Sequence, residues 1–490
     1  MYVIASKDST RGVSFDMFLG ISCLIAFFNT ATIGNPLGII ITIPQYFLVL
    51  KYLFDGNIKG ATLLHFAFLM LSISSQGVYG MFDDQNFSMY NYGTLKVIGP
   101  VRACYLINII LAVIVGAGKL KKDRRSLFYK LFKTMLILAI SGITIGVVGL
   151  LINPYYAISA LIDNCIYMFI TLSSMYILLY MIDESTVRSA YYISLIEIMV
   201  GPVVGVLGFI LLHVTSSYGM YDIIISIDTC YFSVLLVYGL LYVRQKRLLI
   251  LSIIAYIYVA IASIGGKAIF GIAFCLLTLV FLLIFDKETK INYPQSSKIL
   301  RPVILVVTFV LVPLSLTSLG DSFAAYKITS ALSMFSGNLD DISRSPFIRV
   351  ASLINILYEG IQNPLILLFG NGYGGYFEDH FNYFEGLDLE HGAWHADEVA
   401  TGRFHSGHDT MVAVPLLNGL VGLLLLIKIC WQYIKRIKYN YLGAVAFLWI
   451  LLVFYSNTIL AYIGVFLLFA AEYNLTTSHL FNYGEKGANN

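Results

Sequence analysis

The stretch "RFHSGHDTMVAVPLLNGLVG" (403–422) sets two histidines, an arginine and an aspartate directly before an apolar run. Histidine titrates near neutrality and can take a proton from an attacking hydroxyl. His408 is the candidate base, with Asp409 or another carboxylate holding its ring. Arg403 and His405 stand beside it as candidate substrate contacts. An interfacial histidine snorkelling at a helix start fits the same residue.

Other groups could serve the same chemistry. "SPFIRVASLINILYEG" sets Arg349 and Gly360 with ten residues between them. A cation early in a helix opposes the helix dipole, so Arg349 should have a partner, either an anionic substrate or a loop carboxylate. "LFGNGYGGYF" (368–377) places Gly372, Tyr373 and Gly374 in a turn whose N–H groups could cradle an anion; an ordinary tight turn fits equally. Lys267 follows Gly265-Gly266 at a span start, and Lys96 and Arg102 lie at the outer end of another. Either phosphate contact or interfacial anchoring suits them. "HGAWH" and "HSGH" have no established zinc spacing, and Asp83-Asp84 read as a solvated loop. No metal and no cofactor is expected.

These residues must be positioned by membrane helices. Of 490 residues, 58% are hydrophobic and 12% charged, with a mean hydropathy of +0.81. Soluble domains carry about 25% charge. Apolar runs near 14–33, 37–54, 60–76, 97–117, 131–151, 155–181, 190–213, 221–243, 246–263, 267–285, 302–319, 410–429 and 441–472 are long enough to span. The last could split at "FYSNTIL", giving 13 or 14 spans. Continuous rather than alternating runs predict helices, so the fold class is an all-α polytopic membrane protein. The six cysteines lie in or beside apolar runs without paired spacing and read as small hydrophobes. A net charge of +3 points to no nucleic-acid partner.

Lys and Arg in short loops set orientation. "KLKKDRRSLFYKLFK" (119–133), "YVRQKR", "DKETKINYPQSSKILR" and "KICWQYIKRIKYN" all fall on one side, with Lys7, Arg11, Lys51 and Lys59. That side is the cytoplasm, and the N-terminus lies there. The chain then divides into N-terminal spans (1–319), one large outer loop (320–409), C-terminal spans (410–474) and a disordered tail (475–490). The loop's acidic residues outnumber its basic ones, Lys327, Arg344, Arg349 and Arg403, and it holds five of the eight histidines. Ser345 and Pro346 predict the N-cap and first position of an amphipathic helix, with Gly360 past its end. That helix should lie on the membrane surface or on the spans.

His408-Asp409, nine residues, Gly419, two residues, Gly422 resembles the signature of the O-antigen ligase and O-antigen polymerase superfamily. Asp409 stands where that family usually has Asn, Ser or Gln. Arg349-x10-Gly360 resembles a polymerase motif, "FGNGYGGY" the Gly-x-Gly turn between the two, and "GGKAIFG" a segment with Arg where this chain has Lys267. The resemblance implies a GT-C-like glycosyltransferase at the periplasmic face of the bacterial inner membrane. Donor and acceptor would be undecaprenyl-pyrophosphate-linked glycans, with a chain-length regulator as a possible protein partner. Catalytic roles would fall to His408 and Arg349. Lys267, Arg102, Arg403, His405, Asp409, Gly372, Tyr373 and Gly374 would contact substrate. Inversion without metal would follow, because fixed cations can stabilise the leaving pyrophosphate. Tyr376, Phe377, Phe381, Tyr383, Phe384 and Trp394 would add sugar-stacking surface. The chain's length and ninety-residue loop favour a polymerase over a ligase that transfers glycan to lipid A core. A flippase would need charge within its spans.

Overall fold

The computed structural model describes residues 2–4, 13–32, 35–79, 90–98, 101–117, 126–181, 344–385, 394, 396–405, 407 and 410–437, with isolated positions between 185 and 200 and at 250 and 465. Lys267, His391, His395, His408, Asp409 and Asp83-Asp84 fall outside them, as do the runs expected at 221–319 and 441–472.

The described residues form helices α1 (Phe15–Ala31), α2 (Gly38–Phe54), α3 (Ile58–Tyr79), α4 (Ala103–Ala117), α5 (Leu127–Ile152), α6 (Ile158–Leu179), α7 (Arg344–Gln362), α8 (Pro364–Phe369), α9 (Ala396–Thr401) and α10 (Thr410–Ile437). Two-residue and three-residue strands pair as antiparallel hairpins: β1 (Tyr2–Ile4) with β2 (Val13–Ser14), β3 (Lys96–Ile98) with β4 (Val101–Arg102), and β5 (Phe377–Glu378) with β6 (Arg403–Phe404). α5, α6 and α10 are long and apolar enough to cross a membrane, and α1 to α4 carry shorter apolar stretches. The chain is a helical protein with membrane-spanning character. The run expected to start at 97 instead bends through the β3–β4 hairpin before α4 begins.

α3 is the centre of the N-terminal half. From Gly60 to Ser72 it is buried on every side, as expected of a helix apolar all round. It packs against α1, α2 and α4, while α4 and α5 both pack on α6. Buried polar side chains here bond to carbonyls and, in two places, to one another. His65 Nδ1 lies 2.8 Å from the Tyr92 hydroxyl, and Asn108 on α4 donates to Ser173 and Ser174 on α6.

α7 does not end at Gly360. The missing side chain there lets α8 come close, for an added Cβ would lie 2.9 Å from Leu367 Cδ1. The helix stops at Asn363-Pro364, where proline disfavours helical geometry in the preceding residue. Asn363 is extended (φ −131°, ψ 100°) and its side chain caps α8 by accepting from the Leu365 N–H. α7 packs against α8, α10 and β5, so it rests on the spans. α10 runs past 429 and is broken at Gly419 (φ 60°, ψ −160°), which the hydropathy pattern does not reveal.

Candidate functional site

Among the described residues, the Arg349–Gly360 helix, the 370–376 turn and the Gly419–Gly422 segment meet. The turn after α8 enters a trough between the C-terminal half of α5 and the N-terminal half of α10. Asn371 N–H donates to the Leu416 carbonyl (2.7 Å), Gly372 N–H to that of Leu417 (3.2 Å) and Tyr373 N–H to that of Gly142 (2.8 Å). The break at Gly419 leaves Leu416 and Leu417 carbonyls available for these bonds. Irregular backbone inside a membrane must be satisfied by protein in this way. Asn418 ties the two helices together, donating to the Leu138 carbonyl (2.9 Å) and the Ser141 hydroxyl (3.0 Å).

Only glycine fits the walls of this trough. A Cβ on Gly142 would lie 2.2 Å from the Tyr373 ring, and one on Gly146 would lie 2.1 Å from the Tyr373 carbonyl oxygen. Gly370 and Gly419 face each other with backbone atoms at 2.5 Å from either added Cβ, and both have φ above +50°. Gly422, the last residue of the "HD" motif, faces Leu138 of α5. Tyr373 is fully buried. The turn expected as an anion cradle therefore has the N–H groups of Asn371, Gly372, Tyr373 and Gly375 already donated to carbonyls. In this structure Gly372, Tyr373 and Gly374 pack and pair with backbone.

Beyond Tyr373 the chain climbs back out. The Gly374 carbonyl accepts from Ala157 N–H at the start of α6 (3.0 Å), and Asn153 Nδ2 donates to the Tyr376 hydroxyl (3.4 Å). Here, at the mouth of the trough, charged groups gather. The β5–β6 ladder sets Glu378 opposite Arg403, and Arg403 Nε lies 3.1 Å from Glu378 Oε1. The Arg403 guanidinium also covers the Tyr155 ring at 3.7 Å, a cation–π contact. His405 follows. Its backbone N–H donates to buried Glu398 (2.7 Å), and its Nδ1 lies 3.2 Å from the carbonyl oxygens of Gly374 and Gly375. Two acceptors at Nδ1 place the neutral ring's proton there, leaving Nε2 as the basic nitrogen.

A second group hangs from α7. Ile348, Ser352, Asn355 and Glu359 recur at helical spacing on its inner face. Glu359 accepts from the Glu378 N–H (2.7 Å) and lies 2.9 Å from His380 Nε2. Asn355 donates to Asp379 (2.9 Å) and accepts from the His380 N–H (3.0 Å). Burial pushes the Glu359 carboxyl above its ordinary range, and its hydrogen bonds only partly offset this. Nothing in the sequence reading singled out Glu359, Glu378 or Glu398. The available signal was the polar 352/355/359 spacing within an otherwise apolar helix.

No family model, curated protein or solved structure matches the chain.

The remaining candidates are distributed as follows. Arg349 is half-buried near the start of α7 and engaged. Arg102 donates to the Gly93 carbonyl (3.1 Å) on the β3–β4 side. Among the described residues it makes no hydrogen bond, ion pair or ring contact with the group at the mouth. Gly407 lies against Ala413 N in the first turn of α10, and His408 and Asp409 are outside the described residues. Among the described residues no three His, Cys, Asp or Glu side chains converge as metal ligands would.

The aromatic surface differs from expectation. Phe377, Phe384, Trp394 and Phe404 pack on one another, with Trp394 and Phe404 ring centres 4.5 Å apart, and all four are buried. They are the small core that folds the loop. Stacking faces remain at Tyr155 and Phe381, which are exposed, and at half-buried Tyr376. The mouth can thus bind a polar ligand through carboxylates, a fixed cation and an oriented imidazole, beside exposed aromatic rings.

Proposed function

We propose that the chain is a membrane glycosyltransferase of GT-C-like kind. It polymerises undecaprenyl-pyrophosphate-linked oligosaccharide repeat units into O-antigen or a related surface polysaccharide. The work takes place at the periplasmic face of the bacterial inner membrane. The observation that best supports this reading is convergence. The Arg349–Gly360 helix, the 370–376 turn and the Gly419–Gly422 segment are separated in sequence, yet pack as one body beneath a mouth holding Arg403 and His405.

In this reading His408 takes the proton from the acceptor sugar hydroxyl. The hydroxyl oxygen bonds to the anomeric carbon as that carbon's bond to the pyrophosphate oxygen breaks. Attack opposite the leaving group inverts the anomeric centre. Arg349, with Arg403 and Lys267, offsets the charge on the departing pyrophosphate. Arg102, bonded to Gly93, fits a separate role on the β3–β4 side. Donor and acceptor both arrive in the membrane, and a chain-length regulator could act on the same complex. A transporter would use a helix break like that at Gly419 to bind its cargo; here a turn of the same chain fills the break.

Reconstitution with a lipid-linked repeat unit, without added metal, tests the proposal. Polymerisation yields a ladder of longer lipid-linked glycans, indifferent to chelator and lost in His408→Ala. Transfer only when lipid A core is supplied would make the protein a ligase. Absence of both products would overturn the enzymatic reading and favour transport.

A further inference from the structure

The segment between α7 and the site mouth reads by sequence as part of an outer loop, but the trough sets its depth. Gly419, against which Gly370 packs, lies nine residues into α10, or about 13 Å along a helix axis. Gly146 and Gly142, against which Tyr373 packs, lie six and ten residues before the end of α5, or about 9 and 15 Å. Two helices running in opposite directions thus give the same depth for one turn. If α5 and α10 cross the bilayer, as their length and apolarity permit, residues 370–373 lie well inside one leaflet.

The residues leading into that turn suit the same place. From Gly360 to Phe377 no residue is charged. On α7 the face opposite Asn355 and Glu359 carries Ile354, Leu357, Tyr358 and Ile361, a stripe at i, i+3, i+4 and i+7 that is exposed. It continues along α8 through Leu365, Leu368 and Phe369, also exposed. Ile361 is 71% and Leu365 68% exposed. Soluble surfaces rarely leave so continuous an apolar patch uncovered.

We propose that residues 360–376 form a re-entrant segment. It descends into the leaflet along the end of α7 and α8, turns in the trough at 370–373, and returns by Tyr376. The occupant of the exposed stripe is lipid acyl chain. The backbone at the tip avoids lipid because α5 and α10 supply its acceptors. The inference stands apart from the proposed chemistry.

The full-length protein in phosphatidylethanolamine and phosphatidylglycerol vesicles provides the test. Two photoactivatable phospholipids are added in parallel, one with a diazirine midway along an acyl chain and one with it on the headgroup. Adducts are mapped by peptide mass spectrometry. Acyl-probe adducts on 361–369 at a yield comparable with those on α5 residues 136–152 are expected. Adducts from the headgroup probe alone would place the segment on the surface and overturn the proposal. Labelling of α5 but of neither kind on 361–369 would mean that protein covers the stripe, and would also overturn it. Chemical cross-linking would then tell a second copy from another part of this chain.

Discussion

Around His65 buried side chains do the bonding, to one another and to carbonyls; around Gly370 the backbone N–H groups of a turn meet helix carbonyls. In the α3 bundle, His65 meets Tyr92 and Asn108 meets Ser173 and Ser174 across three helices. These contacts join side chains, and α3, α4 and α6 stay whole. In the α5–α10 trough, one helix breaks at Gly419 and a turn inserts its own N–H groups against the carbonyls. Backbone cannot move aside as a side chain can. The trough is therefore intolerant of added atoms, whereas the bundle should tolerate loss of single bonds. The difference suggests that the trough carries precise placement of the mouth, and the bundle carries mass and support.

The largest test is Gly146→Val. Its Cβ would fall 2.1 Å from the Tyr373 carbonyl oxygen, so overpacking against backbone should cost about 3 kcal/mol or more. Thermal unfolding in detergent, followed together with proteolysis within 344–405, should show the loop released from the spans. Gly419→Ala comes next. At φ 60°, ψ −160° a residue with a side chain costs about 1–3 kcal/mol, and the 2.5 Å approach to Gly370 N adds to it. Asn418→Leu removes both bonds to α5 and should cost about 1–3 kcal/mol. In the bundle, Asn108→Leu should cost only about 0.6–1.7 kcal/mol, the range of interhelical polar contacts in membranes. If Asn108→Leu proved as damaging as Gly146→Val, the contrast between the two regions would collapse.

The smallest effect is a pH dependence at the mouth. Burial raises the Glu359 carboxyl above its ordinary value. The folded state therefore holds that proton more tightly than the unfolded state does. Its contribution to stability is fully present below the unfolded glutamate value and is lost as pH rises through the folded one. Glu359→Gln, which keeps an acceptor for the Glu378 N–H, should flatten the stability profile above the ordinary glutamate range. Melting temperatures of both proteins from pH 4 to 8 measure it; parallel curves would remove Glu359 from the account.

Much of the architecture was legible before any coordinates. The runs at 14–33, 37–54, 60–76, 131–151 and 155–181 correspond to α1, α2, α3, α5 and α6 within a few residues, because the cost of exposing polar backbone to lipid writes itself into long uncharged stretches. The helix of 344–362 was legible from its period. Its end was misplaced, because Gly360 is there for α8 to approach, and a glycine kept for close packing looks the same in sequence as one that ends a helix. The aromatic residues of the loop were read as a ligand surface, but Phe377, Phe384 and Trp394 form its core with Phe404. Aromatic composition does not say which face of a ring is already covered.

Sequence alone determined that the chain carries long apolar runs, that its acidic residues and histidines gather between 320 and 409, and that Gly360, Gly372, Gly419 and Gly422 punctuate the stretch around that loop's end. It could not say why those glycines stand there. Only the tertiary structure decided that the turn fills a break in α10, that Gly142 and Gly146 of a distant helix make room for it, and that Arg403 and His405 are held above it by Tyr155, Glu378 and Glu398. Hydropathy is a property of each residue summed along the chain. Close approach is a property of pairs far apart in it, and one sequence carries no direct record of which pairs meet.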